Sequence, residues 1–302
     1  MSITLSKKTA KLVAALATIP LIVSLAACAG GGAAVEGGND EIVKIGVVGK
    51  SDPQWAAFTK AAAEQGITLE IVDFADYTQP NPAVTEGEVD LNQFQHIVYL
   101  ADYDVSSGAD LVPIGSTAIY PLGLYSTKHG SVEEIQKGDT VAVPDDASNL
   151  ARALLVLQSA GLVTLKDGGS IFSGLNDIDA AKSKVKVTAL EASLTPTSLP
   201  DVAAAVINND FVEHAGLTFE DAIAKDDPAD PNALPYVNIF ATRAGDKDNA
   251  TYKKLVEIFQ TNKAVQEALL EVSGGTAVLL KTPVADLQSS LTKVEADTKA
   301  QG

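Results

Sequence analysis

The stretch IVKIGVVGKSDPQWAAFTKAAAEQGITLEIVDF, residues 42–74, decides the fold class. Residues 42–48 are rich in β-branched side chains, which predicts a strand. Pro53 then begins a predicted helix that ends at about Gln65, and residues 68–74 form a second predicted strand. A strand, a helix and a strand in this order favour an α/β fold in which helices flank a parallel sheet.

The same order of elements recurs in the middle of the chain. Residues 140–143 and 184–190 predict strands, and the helix between them is expected to run to Ala160 with Ser148 or Asn149 as its N-cap. The apolar run 236–242 is expected to return the chain to the first part. We therefore predict two lobes, one formed by residues 41–121 and 242–302 and the other by residues 122–241.

The C-terminal part has the periodicity of amphipathic helices. Residues 249–261 and 263–272 each present an apolar face and predict a helix. A last predicted helix spans about 284–298 with Leu287, Leu291 and Val294 on one face. The sequence leaves open whether this helix packs on the body or is a partly frayed tail.

The N-terminus has the organisation of a secretory signal. Lys7, Lys8 and Lys11 precede the uncharged apolar residues 12–25, which are short for a membrane span of about 20 residues. The following sequence Leu25-Ala26-Ala27-Cys28 resembles a bacterial lipobox. The resemblance implies a signal peptide over residues 1–27, cleavage before Cys28, a lipid on its sulfur and retention at the extracytoplasmic face of a cell membrane. The alternative is an ordinary signal peptide with a chance cysteine.

Composition narrows the class of protein. Residues 28–40 are mostly Gly and Ala and are expected to form a flexible tether. The formal charge is −17 for the whole chain and near −20 without residues 1–27, which carry three lysines and no acidic residue. Such an acidic surface repels phosphates and disfavours nucleic acid as a partner. Only Arg152 and Arg243 are arginines. They are therefore the two candidates for binding a carboxylate through the parallel hydrogen bonds of a planar guanidinium fork.

Catalytic and cofactor motifs are incomplete or missing in the sequence. The Gly49-Lys50-Ser51 sequence follows a strand as a phosphate loop does, but Lys44 stands where that loop requires glycine. His96, His129 and His214 have no metal-pair spacing, and no Gly-x-Ser-x-Gly motif is present. We therefore expect no cofactor, no metal and no enzymatic activity.

Several segments mix aromatic and amide side chains near predicted strand ends, where ligands bind in open parallel sheets. They are residues 76–81, 87–96, 148–154, 205–210 and 234–239. Such segments suit a small, zwitterionic and partly apolar ligand.

These segments, in this order, are similar to those of a known family. The specific motifs are Asp76-Tyr77-x-Gln79-Pro80-Asn81, Phe94-Gln95-His96, Ile119-Tyr120-Pro121-Leu122-Gly123-Leu124-Tyr125-Ser126, Asn149-Leu150-Ala151-Arg152-Ala153-Leu154 and Pro235-Tyr236-Val237-Asn238. From Ile42 to about Val278 the chain resembles the methionine-binding lipoproteins of ABC importers, the NlpA/MetQ family. The resemblance implies a two-lobed periplasmic-binding-protein fold, with sheets flanked by helices and a ligand cleft between the lobes. It also implies a monomer that delivers its ligand to a permease with a cytoplasmic ATPase.

The resemblance also implies roles for individual residues. Arg152 matches the arginine that pairs the ligand carboxylate, and Asn149 lies beside it in the sequence. We also expect Arg152 in the first turn of its helix, where backbone N–H groups favour an anion. Asn208 and Asn238 match asparagines that bind the polar end of the amino acid, while Tyr77, Phe94 and His96 match residues around its side chain. The alternatives are a surface salt bridge for Arg152, capping for the asparagines, and core packing for the aromatic residues.

One departure from the family leaves the ligand open. The run Asn209-Asp210-Phe211 places a carboxylate near the cleft and lacks a family tyrosine, and residues 279–302 extend past the strong resemblance. L-methionine is the favoured ligand; D-methionine, a methionine-containing dipeptide and another apolar amino acid are the alternatives. A lipid-anchored enzyme and a scaffold or adhesion protein that has lost its ligand are the competing functional classes.

Overall fold

A computed structural model describes residues 42–301. The predicted signal peptide, Cys28 and the tether lie outside this range. Within it, no helix has the length and apolar character required to cross a membrane. The strands are β1 Ile42–Val48, β2 Thr68–Phe74, β3 Leu91–His96, β4 Leu111–Ser116, β5 Ala118–Ile119, β6 Gly123–Tyr125, β7 Thr140–Pro144, β8 Lys186–Leu190, β9 Ala204–Ile207, β10 Ala224–Lys225, β11 Asn238–Arg243 and β12 Val278–Leu279. The α-helices are α1 Pro53–Ala63, α2 Pro80–Thr85, α3 Ile97–Ser107, α4 Ala147–Ser159, α5 Ala250–Thr261, α6 Lys263–Val272 and α7 Val284–Lys299.

Two five-stranded mixed sheets organise the described chain, which confirms the predicted α/β class. The first has the order β2-β1-β3-β11-β4, with β1 parallel to β2 and β3, and β11 antiparallel to its neighbours. The second has the order β10-β6-β9-β7-β8, with β7 parallel to β8 and β9. The chain passes from the first sheet to the second between β4 and β6, and returns between β10 and β11.

Helices cover both faces of the first sheet. On one face, Trp55 and Phe58 of α1 pack against Phe259 of α5. On the other face, α3 packs against α7, whose Leu287 and Leu291 are buried. The last helix therefore packs on the body, which settles the alternative that the sequence left open.

The two sheets also share a cluster of buried side chains. Tyr77 and Phe94 come from the first-sheet part of the chain, and Phe211 comes from the second-sheet part. The Tyr77 ring lies 5.0 Å from the Phe211 ring and 5.7 Å from the Phe94 ring, measured between centroids. These contacts join the two halves at the place where the candidate site is found.

The segment from β3 to α3 was not predicted. All six residues of β3 are buried, and Asn92, Gln93 and Gln95 among them are polar, so no apolar alternation marks the strand. Their burial is made possible by hydrogen bonds such as Asn92 Nδ2 to Asn81 Oδ1 at 2.8 Å and Asn81 Nδ2 to Gln95 Oε1 at 2.8 Å. The helix α3 then begins directly after His96, without a glycine or proline to separate it from the strand.

The start of α4 was predicted wrongly. Asp146 is its N-cap, since its Oδ1 accepts from Asn149 N at 2.9 Å, and Ser148 and Asn149 lie inside the helix. Arg152 is consequently the sixth helical residue rather than part of the first turn. The free N–H groups at the helix start therefore cannot contribute to an anion site at Arg152 in the way the sequence suggested.

Candidate functional site

One small cavity between the two sheets is lined by all seven residues that the sequence singled out: Tyr77, Phe94, His96, Asn149, Arg152, Asn208 and Asn238. They come from the loop after β2, from β3, from α4, from the end of β9 and from the start of β11. Gln95, Tyr99 and Asn209 complete the lining. Gln95 and Asn209 stand inside the quoted segments, whereas Tyr99 lies on α3, a helix that the sequence pattern did not reveal.

A chain of amide hydrogen bonds sets the polarity of this cavity. Asn149 Nδ2 donates to both carboxylate oxygens of Asp146 at 3.0 and 3.1 Å. This orients Asn149 Oδ1 toward Asn208, whose Nδ2 donates to it at 3.0 Å. The amide of Asn208 is thereby turned so that its Oδ1 is an acceptor, and this buried atom has no protein partner among the described residues. A buried acceptor without a partner costs about 1–3 kcal/mol, which a donor from a ligand would relieve.

His96 is a neutral member of the same network. Its Nδ1 accepts from Tyr99 N at 3.2 Å, so the ring hydrogen lies on Nε2, which donates to Asn149 Oδ1 at 3.3 Å. Burial, together with the positive charge of Arg152, lowers the pKa of His96 to about 3. His96 therefore supplies a fixed hydrogen bond rather than a charge.

Arg152 is buried, with only 6% of its surface exposed. Its Nε donates to Asp226 Oδ2 at 2.6 Å, and its Nη2 donates to the Tyr120 carbonyl oxygen at 2.8 Å. The guanidinium carbon lies 4.5 Å from the centre of the Tyr236 ring. A surface salt bridge was the alternative considered for Arg152, and the structure contains an ion pair in which the Arg152 side chain is 7% exposed and the Asp226 side chain is 27% exposed. Nη1 makes no hydrogen bond to the described residues, so the fork keeps donors for a further acceptor.

Aromatic rings form the other side of the cavity. Tyr77, Phe94 and Tyr99 lie within 5.6–6.1 Å of one another, measured between centroids. Tyr99 Oη donates to the Tyr77 carbonyl oxygen at 2.9 Å, which fixes the two residues together. These rings offer a polarizable wall that suits a thioether or another apolar side chain.

Asp210, the carboxylate that departs from the family pattern, bonds to the aromatic wall. Tyr77 Oη donates to Asp210 Oδ2 at 2.6 Å, so a residue after β2 is joined to one after β9. Asp210 also lines a neighbouring cavity of about 110 Å³ together with Asp52 and Glu213. Burial and the nearby Asp52 raise the pKa of Asp210 to about 7, while the hydrogen bond from Tyr77 opposes the shift.

Comparison with known proteins places the chain among lipoproteins. The family model described as NlpA lipoprotein matches residues 43–279. The D-methionine-binding lipoprotein MetQ of Escherichia coli (strain K12) is 39% identical over 241 residues, which cover 78% of this chain and 87% of that protein.

Two solved structures with a similar fold and sequence are also those of binding proteins. The substrate-binding protein of a methionine transporter from Streptococcus pneumoniae is 36% identical with a TM-score of 0.74, over 79% of this chain and 95% of that chain. A nutrient-binding protein from Burkholderia cenocepacia bound to methionine is 37% identical with a TM-score of 0.72, over 78% of this chain and 99% of that chain. The predicted two-lobed periplasmic-binding-protein fold is confirmed by these neighbours. This chain belongs to the NlpA lipoprotein family.

Proposed function

We propose that this protein is the substrate-binding protein of an ABC importer and that it binds methionine, L-methionine first of all, in the cavity between the sheets. The observation that carries the proposal is the pairing of opposite polarities in one cavity. The buried Oδ1 of Asn208 is an acceptor without a partner, and Arg152 is a buried cation with donors to spare. An amino acid supplies the complement of both, a donating ammonium and an accepting carboxylate.

The remaining residues of the site fit the rest of such a ligand. Tyr77 and Phe94 provide an apolar wall for its side chain, and His96 and Asn149 hold the amide of Asn208 in place. Asn238, at the start of β11, lines the same cavity and is proposed to contact the polar end of the ligand. The names of the relatives, which include D-methionine-binding lipoproteins and a protein bound to methionine, support this ligand class.

The proposal extends to the setting of the protein. The lobes, with the bounds given above, close on the ligand by a hinge motion at the two crossings, near residues 121–125 and 236–242. A lipid on Cys28 holds the monomer at the extracytoplasmic face of the membrane, where it passes methionine to a permease with a cytoplasmic ATPase. The role is binding and delivery, without catalysis.

Calorimetric titration tests the ligand class. The mature protein, unfolded and refolded to remove carried ligand, is titrated with L-methionine, methioninamide and N-acetylmethionine. We expect one-to-one binding of L-methionine and at least tenfold weaker binding of each blocked analogue, because each lacks one charged group. Equal binding of the three compounds would contradict the zwitterion site, and a folded protein that binds no form of methionine would contradict the ligand.

A matched pair of variants tests the role of Arg152. Lysine cannot reproduce the planar fork, so Arg152→Lys is expected to lose at least tenfold in affinity. Arg243→Lys is the control, because Arg243 bonds to Asp246 and to backbone carbonyls beside the first sheet. Unchanged affinity in a folded Arg152→Lys protein would remove Arg152 from the proposed site.

A further inference from the structure

We propose that Asp226 is a positioning residue that orients Arg152 for the carboxylate of the ligand. This inference rests on the binding role proposed above for Arg152. Asp226 belongs to the acidic loop between β10 and β11, and nothing in the sequence pattern distinguishes it from its neighbours Asp227 and Asp230.

Within the described part of the chain, three contacts hold the guanidinium of Arg152. The Tyr236 ring packs on its face at 4.5 Å, and the Tyr120 carbonyl oxygen accepts from Nη2 at 2.8 Å. The third contact, Nε to Asp226 Oδ2 at 2.6 Å, is the shortest and the only one with a charged partner. Because it engages the Nε edge, Asp226 fixes the rotation of the fork while leaving Nη1 for another acceptor.

Asp226 is itself held in place. Its Oδ1 accepts from Leu122 N at 2.7 Å, and its own backbone N–H donates to the Leu122 carbonyl oxygen at 3.3 Å. Leu122 lies between β5 and β6, in the segment where the chain crosses from the first sheet to the second. One carboxylate therefore ties the arginine to the crossing segment, so the direction of the fork is set by the framework and not by a mobile loop side chain.

The negative charge of Asp226 also stabilises Arg152 in its buried position. The Arg152 side chain is 7% exposed, and a buried cation without a counter-ion is strongly disfavoured. Without the carboxylate, Arg152 would be drawn toward the outer groove that it also lines, beside Leu155, Lys225 and Asp227. In that position its donors would no longer converge with Asn208 on the ligand.

The test compares two neighbouring substitutions. Asp226→Asn keeps the size of the side chain and the acceptor for Leu122, but it places an amide where Nε needs a carboxylate. Asp227→Asn is the matched control, since it removes the same charge one residue away. Among the residues that the structure describes, the Asp227 side chain accepts only from Ala229 N at 2.9 Å. Both variants are titrated with L-methionine and with methioninamide, which has no carboxylate, and their melting temperatures are recorded. Asp226→Glu, which keeps the charge but displaces it, takes the place of Asp226→Asn if that variant does not fold.

We expect Asp226→Asn to bind L-methionine at least tenfold more weakly while its binding of methioninamide changes less than threefold. Asp227→Asn is expected to stay within twofold of the unmodified protein for both ligands. Equal loss for the two ligands would assign Asp226 a structural role only, and unchanged or tighter methionine binding would also overturn the inference. If Arg152→Lys weakens binding and Asp226→Asn does not, the positioning role fails and the proposed function stands. If neither substitution has an effect, the proposed carboxylate site itself fails.

Discussion

Replacement of Asn208 by alanine is expected to separate ligand affinity from protein stability. Among the described residues, Asn208 Oδ1 is buried without a partner, and the one hydrogen bond of the side chain runs from its Nδ2 to Asn149 Oδ1 at 3.0 Å. Asn149 Oδ1 keeps its bond from His96 at 3.3 Å when Asn208 is truncated. The lost amide bond, worth about 0.5–1.5 kcal/mol, is thus offset by removal of an unpaired acceptor that costs about 1–3 kcal/mol.

The affinity of Asn208→Ala for methionine, in contrast, has no such compensation and is expected to fall. A hydrogen bond from the ligand ammonium to Asn208 is worth about 1.5–3 kcal/mol. Its loss corresponds to a decrease in affinity of roughly 10- to 160-fold, since about 1.4 kcal/mol is a factor of ten. We therefore expect Asn208→Ala to weaken methionine binding at least tenfold while its free energy of unfolding stays within about 1 kcal/mol of the unmodified protein.

Calorimetric titration measures the affinity, and urea unfolding without ligand measures the stability. Asn262→Ala is the control with the opposite pattern. Asn262 Oδ1 caps α6 by accepting from Ala264 N at 3.0 Å, and Asn262 does not line the cavity between the sheets. Its replacement by alanine should therefore cost about 0.5–2 kcal/mol of stability and leave the affinity for methionine unchanged. Binding of methionine by Asn208→Ala within twofold of the unmodified protein would contradict the proposed hydrogen bond to the ligand ammonium. Destabilisation by more than about 2 kcal/mol would show that the burial of an unpaired acceptor is not the dominant effect on stability.

Two further predictions concern pH and packing. Burial raises the pKa of Asp210 from 3.8 to about 7 in the folded protein. Between about pH 4 and pH 7 the folded state therefore keeps a proton that the unfolded state releases. The contribution of Asp210 to stability consequently falls as the pH rises through this range. Asp210→Asn retains an acceptor for Tyr77 and cannot release a proton, so its stability relative to the unmodified protein should increase over that pH range and level off above it. Urea unfolding of both proteins between about pH 4 and pH 8 measures this difference. Parallel plots of the free energy of unfolding against pH would exclude the effect. A Cβ added at Gly115 would lie 2.2 Å from Val256 Cγ1, so Gly115→Ala should cost about 1–3 kcal/mol through overpacking of the first-sheet core. Gly245→Ala, whose Cβ meets nothing within 4 Å, is the control, and equal stabilities of the two variants would contradict the packing argument.

The sequence predicted elements well where the apolar pattern is uninterrupted. The strand, helix and strand over residues 42–74 and the helices over 250–299 lie close to their predicted positions, because their buried faces are apolar and regularly spaced. The pattern failed for β3, whose polar side chains are buried through hydrogen bonds to residues of α2.

The candidate site was predicted from motifs, and its internal bonds were not. The seven residues carried over from the family line one cavity, but the cap at Asp146 and the ion pair at Asp226 were missed. Asp226 stands in a loop with other acidic residues, which a sequence pattern cannot separate from solvated charge. Asp210 was recognised as a departure, while its bond to Tyr77 joins residues 133 positions apart and follows only from the way the sheets meet.

A crystal structure of the mature protein with L-methionine tests the central claim most directly. We expect one methionine in the cavity between the sheets, with its carboxylate on the guanidinium of Arg152, its ammonium at Asn208 Oδ1 and its side chain against Tyr77 and Phe94. A ligand bound in the outer groove beside Leu155, or one bound in the cavity with its carboxylate turned away from Arg152, would contradict it.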